Sequence, residues 1–430
     1  MNVGFFGIQY SFGLQQSAVN PLYTFLDARP EDLPLLNLAG PMTGLLIQPI
    51  IGAMSDKTWH PRWGRRKPYF LIGAIFCSLC LFAFPFSSAL WMAVGLLWIL
   101  DAANNTAMEP YRAFIADKLS EAQRSVGFLT QSFFTGFGIT LANISLPLFQ
   151  TFIHGAALTA SGKPGIPYWV YGSFFVGGVC SIASVAWSVY KTPEIPPSAA
   201  ELEKLRSERK GILTPFREIL IAIRDMPGVL WKLALIYLFQ WYAMFCYWQF
   251  VSHSLARSVY NAGVEDKAAY EQAVGLTGYV NGFYNVVTFV SAFGLVWCVK
   301  KLSARNVHFI CLLMAAIALL SVPHISNPYW LIAPMIGFGI AWASMMAVPY
   351  IMVVDSIPSE KYGVYMGVIN MMIVVPMILQ TLSFGFIYKN LLGADPGMAL
   401  TFAGILLFVA ALLTMRIPAR RSAIPASENA

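Results

Sequence analysis

The strongest constraint in this sequence is the number of long, mainly apolar stretches that it contains. A helix that crosses the hydrocarbon core of a membrane needs roughly 20 mainly apolar residues. Charged residues make up only 11% of the 430 residues, which is too few to solvate the surface of a soluble protein of this length. We identify twelve such stretches, at approximately 3–26, 34–55, 68–87, 90–116, 125–153, 167–190, 229–254, 273–299, 306–322, 328–354, 363–388 and 397–415. The sequence therefore predicts an all-α integral membrane protein with twelve transmembrane helices.

The basic residues favour one orientation of these spans. With both termini placed inside, 22 of the 28 Lys and Arg residues lie in inside segments or, as Lys232 does, at the inside end of a span; 5 lie in outside loops, and Arg112 lies deeper within a span. Because short cytoplasmic loops retain an excess of Lys and Arg, we expect the N and C termini to be cytoplasmic. The net charge of +7 thus reflects orientation in the membrane, and we expect no nucleic-acid partner.

The longest inside segment, residues 191–228, divides the spans into six plus six. It is rich in proline and charge, as is typical of a linker or surface helix. We expect an N-terminal six-helix bundle at 1–190, a cytoplasmic linker at 191–228, a C-terminal six-helix bundle at 229–415 and a cytoplasmic tail at 416–430.

The two halves share a local pattern. The fourth span contains Gly95-x-x-Trp98 followed by a Pro-Tyr pair, and the tenth span contains Gly339-x-x-Trp342 followed by another Pro-Tyr pair. Duplicated six-span halves that bind substrate between them are typical of transporters. We therefore expect two pseudo-symmetric six-helix bundles. The sequence contains neither a His-Glu-x-x-His nor a Gly-x-Ser-x-Gly motif, so we do not expect an enzyme.

The turn after the second span carries a recognisable motif. It reads Gly52-x-x-x-Asp56 and then Gly64-Arg65-Arg66. This resembles the signature loop of the major facilitator superfamily, in the longer form found in glycoside–pentoside–hexuronide:cation symporters. Asp56 can cap a neighbouring helix and meet either arginine, which would form a cytoplasmic gate. Simple anchoring by positive charge is the alternative interpretation.

Further stretches resemble the sucrose/proton symporters of that type. They are residues 98–106 and 112–117 in the fourth span, 40–49 in the second and 367–376 in the eleventh. The resemblance implies alternating access, a disaccharide substrate, a monomer surrounded by membrane lipid, and the proton as coupling ion without any other cofactor. Together with short termini it implies a bacterial relative in the inner (plasma) membrane.

Asp101 is the residue on which the predicted chemistry depends. It lies near the middle of the fourth span, where a buried charge costs about 3 kcal/mol or more, so such residues usually line a pathway. A carboxyl group in apolar surroundings holds a proton more readily than in water, and when charged it can accept hydrogen bonds from sugar hydroxyls. We predict that Asp101 binds both proton and sugar. A helix-packing role is the alternative.

The same span supplies further polar side chains. Asn104 and Asn105 follow Asp101 by three and four residues and therefore share its side of the helix. Arg112 returns to that side about 16 Å nearer the cytoplasm, too far for contact with Asp101. We expect Glu109 to be its partner, either as part of proton coupling or as a structural ion pair.

Sugar binding requires polar groups for hydroxyls and aromatic faces for the rings. In addition to the polar side chains of the fourth span, the side chains that we favour are Gln16, Gln131, Gln240, Asn281, Trp342 and Asn370. Each could instead pack between helices. We expect no metal site, because a sodium ion needs several oxygen ligands and the second span carries no acidic residue between 34 and 55.

The sequence thus predicts a proton-coupled symporter for sucrose or a maltose-like glucoside. The alternatives are an uncoupled sugar facilitator or exporter, and a sodium-coupled glycoside symporter.

Overall fold

The computed structural model describes residues 1–61, 63–118, 121–158, 164–193, 214–263, 266–353 and 362–419, which are almost entirely helical. The helices of the first half are α1 (Val3–Leu14), α2 (Asn20–Phe25), α3 (Leu33–Leu36), α4 (Ala39–Lys57), α5 (Lys67–Ala83), α6 (Leu90–Lys118), α7 (Glu121–Phe152) and α8 (Tyr168–Lys191). A π-helical turn, Gln15–Val19, joins α1 to α2, so that these three segments form one membrane crossing, called here the first crossing. A short antiparallel hairpin, β1 (Ala156–Leu158) and β2 (Pro164–Pro167), connects α7 to α8.

The helices of the second half are α9 (Thr214–Arg224), α10 (Gly228–Tyr260), α11 (Lys267–Leu302), α12 (Ala304–Ser321), α13 (Ile332–Val353), α14 (Tyr362–Asn390) and α15 (Pro396–Thr414). Short 3-10 turns extend several helix ends, at Pro30–Asp32, Phe84–Phe86, Val322–His324 and Pro328–Leu331. The first crossing, α4 to α8 and α10 to α15 are twelve crossings within the described residues. They coincide with the twelve predicted stretches, so the predicted fold class is confirmed.

Two helices run further than the hydropathy pattern predicts. Helix α10 continues to Tyr260 and α11 begins at Lys267, whereas the predicted apolar stretches are 229–254 and 273–299. Polar residues close both ends. Asn261 ends α10 in the left-handed region at φ 52°, and Asp266 Oδ1 accepts a hydrogen bond from the Ala269 N–H at 3.1 Å at the start of α11. Hydropathy marks the apolar part of a helix, and capping residues decide where the helix ends.

Hydropathy also separates the crossings into two groups. By length and mean hydropathy alone, nine segments of the described residues qualify as membrane spans. The crossings that do not qualify are the first crossing, α6 and α11. These three carry polar side chains in their middle parts, among them Gln15, Asp101 and Asn281. The crossing that carries Asp101 is therefore among the least apolar of the twelve.

The packing of helices in one half repeats in the other. In the first half, α5 packs on α6 and α8, the first crossing packs on α7 and α8, and α4 packs on α6. In the second half, α12 packs on α13 and α15, α10 packs on α14 and α15, and α11 packs on α13. These pairs correspond one to one in chain order. The halves are thus two pseudo-symmetric bundles of six crossings.

The linker contributes one amphipathic helix. Within the described residues, α9 buries Ile219 and Ala222 and packs against α14 and α4. The Tyr365 hydroxyl donates a hydrogen bond to the Asp225 carbonyl at 3.4 Å, next to this contact. The charge-dense run 201–210 lies outside the described residues. The part of the linker that is described is therefore packed rather than extended in solvent.

Several helix pairs of the described residues join the halves, among them α3 and α4 with α14, and α7 with α11. The α7–α11 contact is close because α11 presents glycines to α7. A Cβ atom at Gly278 would lie 2.6 Å from the Asn143 carbonyl oxygen and 2.7 Å from Pro147 Cδ. Backbone atoms cannot move aside as a flexible side chain can, so this position requires glycine.

The even number of crossings places both chain ends on one face of the bundle, called here the termini face. The opposite face, called the far face, holds the turns near Asp27, Asn261 and Ala394. At the far face, Lys267 Nζ lies 3.0 Å from Asp27 Oδ1, and Lys389 Nζ lies 3.8 Å from Glu31 Oε1. Both pairs join the first half to the second. The two halves are therefore in contact at the far face.

We predict that Gly278→Ala destabilises the protein relative to Gly294→Ala, a matched change on the same helix where an added Cβ meets nothing within 4 Å. Both changes gain helix propensity, about 1 kcal/mol each, but only the first overpacks the α7–α11 contact, at a cost of about 1–3 kcal/mol. Thermal unfolding of the detergent-purified variants measures the difference. Equal unfolding temperatures would show that the α7–α11 contact is not tightly packed.

Candidate functional site

Asp101 lies on α6 with its side chain pointing into the protein. Its exposed fraction is only 3%. A Cβ atom at Gly40 on α4 would lie 3.6 Å from Asp101 Oδ2, and the Gln15 side chain of the first crossing lies against the carboxyl group. Asp101 thus occupies the space between α4, α6 and the first crossing rather than the lipid surface.

The two asparagines that follow Asp101 contact different helices. Asn104 Nδ2 donates to Ser11 Oγ at 2.9 Å, towards the first crossing. Asn105 Nδ2 donates to Thr43 Oγ1 at 3.1 Å on α4 and to the Asp101 carbonyl at 2.9 Å. Helical spacing predicted one polar side of α6. The structure shows that this side fits between two neighbouring helices.

A chain of amides leads from this side of α6 to the other half of the protein. Gln48 Nε2 on α4 donates to Asn105 Oδ1 at 2.6 Å. Asn370 Nδ2 on α14 donates to Gln48 Oε1 at 3.2 Å. The predicted sugar-binding residues Asn105 and Asn370 are therefore joined through Gln48, and the chain connects the Asp101 region to the second half.

A second hydrogen-bond chain leaves the π-helical turn. Ser17 Oγ donates to Asn143 Oδ1 on α7 and accepts from Asn281 Nδ2 on α11 at 3.1 Å. Tyr247 on α10 donates its hydroxyl proton to Asn281 Oδ1 at 2.7 Å. The predicted residue Asn281 thus belongs to a link between the halves. Ser17 and Tyr247 were not predicted, because neither residue type is unusual in a span.

The second half contributes an aromatic cluster next to buried polar groups. The Trp342 ring lies 5.9 Å from the Trp241 ring and 5.5 Å from the Trp248 ring, both edge to face. Gln240 is fully buried, and neither its amide nitrogen nor its amide oxygen has a partner among the residues that the structure describes. The indole N–H of Trp241 is unpartnered in the same sense. An unsatisfied buried polar group costs about 1–3 kcal/mol, so these groups indicate a place for a polar ligand or water.

The remaining predicted site residues are described by their burial alone. Gln131 is buried on α7, and Gln16 is half-buried beside Gln15. Glu109 is half-buried on α6, while the side chain of its predicted partner Arg112 lies outside the described part of the structure.

The signature loop is described in part. Arg66 is buried, and its Nη1 donates to Ser55 Oγ at 2.7 Å. Arg65 Nε donates to the Ser55 carbonyl at 3.4 Å. The side chain of Asp56, the other member of the predicted gate, lies outside the described residues. Both arginines are thus anchored at the end of α4, next to the position where a gate was predicted.

Gln15 is the contact of Asp101 that sequence reasoning missed. The spacing did contain a signal, because Gln15 follows Ser11 by four residues and so lies one helical turn along the same side.

Among the described residues, no group of three or more His, Cys, Asp or Glu side chains is arranged to hold a metal ion.

Comparison with known proteins identifies the class. The sequence profile of the Major Facilitator Superfamily matches residues 2–381. Because the match spans most of the chain, the protein belongs to this superfamily. It is a multi-pass membrane protein of a transporter family and not an enzyme.

Curated relatives and solved structures agree with this assignment. Sucrose transport protein SUT5 of Oryza sativa is 24% identical over 446 residues, covering 88% of this chain and 79% of the relative. Sucrose transport protein SUC4 of Arabidopsis thaliana is 23% identical over 427 residues, covering 88% and 81%. Among solved structures, a D-xylose-proton symporter superposes with a TM-score of 0.65 at 16% identity, covering 97% of this chain and 96% of that one. A mutant of the nucleoside transporter NupG superposes with a TM-score of 0.70 at 12% identity, covering 97% and 98%. At these identities the solved structures establish the fold alone.

We predict that Gln48→Ala and Asn370→Ala are energetically coupled. Each single change breaks the amide link between the halves, so the double variant loses less stability than the two single losses added together. The expected coupling is about 0.6 kcal/mol, the average for hydrogen bonds between membrane helices. Thermal unfolding of the four purified proteins measures it.

The matched control for this cycle is Asn390→Ala on the same helix, where Nδ2 donates only to the local Phe386 carbonyl. The loss of stability in the double variant Gln48→Ala/Asn390→Ala is expected to equal the sum of the two single losses. Additivity in both cycles would contradict a direct Gln48–Asn370 bond.

Proposed function

We propose that the protein is a proton-coupled disaccharide symporter that works by alternating access, with sucrose or a maltose-like glucoside as its substrate. Sugar transport is supported by the family and by relatives that are named sucrose transport proteins. One of the structural neighbours is named as a proton symporter for a sugar. Proton coupling and sugar binding are proposed from one observation. The buried carboxyl group of Asp101 lies beside the side-chain amide of Gln15, whose nitrogen has no hydrogen-bond partner within the described residues.

The chemistry of Asp101 fits one proton and one sugar. A carboxyl group is neutral with a proton bound and acts as a hydrogen-bond donor; without the proton it accepts from hydroxyl groups. In the proposal, Asp101 takes a proton from the outside, holds a sugar hydroxyl, and releases both inside. The aromatic faces of Trp248 and Trp342 and the Gln240 amide would meet the sugar from the second half.

The proposal also assigns the two faces of the membrane. The distribution of basic residues favours a cytoplasmic termini face, in a bacterial inner membrane. The far face is then outside, and its ion pairs, Asp27–Lys267 and Glu31–Lys389, would form part of an outer gate. The inner gate would involve Arg65, and Arg112 with Glu109 would lie nearer the cytoplasm than Asp101.

We predict that Asp101→Asn abolishes proton-driven accumulation of sugar. In proteoliposomes with an inward proton gradient, the wild type is expected to accumulate labelled sucrose or maltose and to acidify the interior. The amide cannot release a proton, and it also loses charge-assisted hydrogen bonds worth about 1.5–3 kcal/mol, which corresponds to a roughly tenfold to hundredfold higher KM. Counterflow, which needs no net proton movement, is expected to persist at high sugar concentration.

The matched control is Asp225→Asn, the same change at an exposed aspartate near the end of α9, which is expected to retain accumulation. Three outcomes would contradict the proposal. Accumulation that survives in Asp101→Asn removes Asp101 from the coupling step. Uptake that does not respond to the proton gradient indicates a facilitator or exporter. Uptake that follows a sodium gradient instead indicates a sodium-coupled glycoside symporter.

A further inference from the structure

The first crossing faces α6 through contacts that follow the helical repeat. Tyr111 OH accepts a hydrogen bond from the Gly4 N–H at 3.1 Å, and Ser11 Oγ accepts one from Asn104 Nδ2 at 2.9 Å. Gly4 and Ser11 are two turns apart on one helix, and Tyr111 and Asn104 are two turns apart on the other, in opposite chain directions. The two helices thus run antiparallel in a fixed register.

The same register brings Gln15 to Asp101. Gln15 lies one turn beyond Ser11, and Asp101 lies about one turn before Asn104, so the next contact in the series joins these two residues. The structure shows this contact, with the Gln15 side chain against the Asp101 carboxyl group. The two side chains are neighbours, and the Gln15 amide nitrogen has no hydrogen-bond partner within the described part of the chain, so it remains available to a ligand. Gln15 is half-buried, so a ligand that reaches Asp101 can also reach its amide.

Gln15 also begins the π-helical turn. Such turns add one residue to a helical repeat, turn the following side chains away from their α-helical positions, and occur frequently at functional sites. Two residues further on, Ser17 bonds to Asn143 and Asn281, which belong to α7 and to the other half. One π-helical turn thus contacts Asp101 with its first residue and both halves with its third.

A glutamine amide suits a carboxyl group that changes its protonation state. Its N–H₂ group can donate to the charged carboxylate, and after rotation of the amide its oxygen can accept from the protonated form. An ionised glutamate can only accept a hydrogen bond from the protonated form, and a methionine can neither donate nor accept a strong hydrogen bond. Gln15 can therefore keep Asp101 oriented in both states of a transport cycle.

We propose that Gln15 is a positioning and specificity-determining residue: its amide orients the Asp101 carboxyl group, shares the bound sugar with it, and passes the occupancy of the site through the π-helical turn to the Ser17–Asn281 link between the halves. The inference rests on the proposed sugar symport. It differs from the sequence-based prediction, which selected Gln16, the neighbouring residue.

The test compares Gln15→Met, Gln15→Glu and Gln16→Met in the full-length protein reconstituted in proteoliposomes. Methionine keeps the length and the helix propensity of glutamine and removes its hydrogen bonds. We expect Gln15→Met to raise the KM for sugar about tenfold, the equivalent of one hydrogen bond to a charged group, with less change in maximal rate. Gln16→Met is expected to change KM by about twofold or less, within the range of a residue without a charged partner.

The pH profile of Gln15→Glu distinguishes a positioning role from a purely structural one, because a structural role would not change this profile. Two carboxyl groups in contact cannot both be ionised without a large cost, so the pair keeps a proton to higher pH. We expect the pH profile of sugar uptake to shift towards alkaline pH in this variant, with an unfolding temperature near that of the wild type. Gln15→Met should leave the unfolding temperature unchanged and alter KM.

The outcomes separate this inference from the function on which it rests. If sugar uptake depends on Asp101 but Gln15→Met keeps the wild-type KM and Gln15→Glu keeps the wild-type pH profile, the role of Gln15 is overturned and symport stands. If Gln16→Met shows the larger increase in KM, the register argument is overturned. A wild-type protein that takes up neither sucrose nor maltose at any pH overturns both proposals.

Discussion

The placement of one carboxyl group within the membrane governs the rest of this structure. A charge at the centre of a membrane helix costs about 2.5–3.5 kcal/mol on insertion scales, so Asp101 must be enclosed by protein. Its described neighbours include Gln15 and the backbone at Gly40, which are neutral. With neutral neighbours, the net charge of the site depends on whether Asp101 carries a proton. In the proposed function, the same neighbours would provide amide groups that a sugar hydroxyl can join or replace.

The two halves are connected differently at different depths. Near Asp101 the connections are neutral, as in the Gln48–Asn370 amide pair. At the far face they are ionic, as in the Asp27–Lys267 pair, whose side chains remain 75% and 36% exposed. Exposed ion pairs contribute only about 0–1 kcal/mol because water and salt screen them. Neither kind of connection is strong enough to fix one conformation permanently, in contrast to the close backbone packing of α11 on α7 at Gly278.

The sequence predicted those features that follow from hydropathy and local spacing. Twelve spans, the position of Asp101 inside the protein and the polar side formed with Asn104 and Asn105 all follow from composition and from 3.6 residues per turn. The amide chain through Gln48 and the Ser17–Asn281 link did not follow, because contacts between distant helices leave no periodic signal in one sequence. The contact between Gln15 and Asp101 did not follow either, because it depends on the antiparallel register of the first crossing against α6, which one sequence does not reveal.

The weakness of the individual contacts is what makes the arrangement suitable for transport. Hydrogen bonds between membrane helices average about 0.6 kcal/mol, because the partners find other groups when the bond is broken. A sugar hydroxyl can therefore replace an amide in the chain from Asp101 to Asn370 at little cost. The hydrogen bonds of this chain have one direction, since Asn370 donates to Gln48 and Gln48 donates to Asn105. If a sugar hydroxyl replaces one amide, the neighbouring amide must therefore change from donor to acceptor or lose its bond. In the proposed mechanism, occupancy beside Asp101 would be communicated to the second half through groups that carry no charge across the membrane interior.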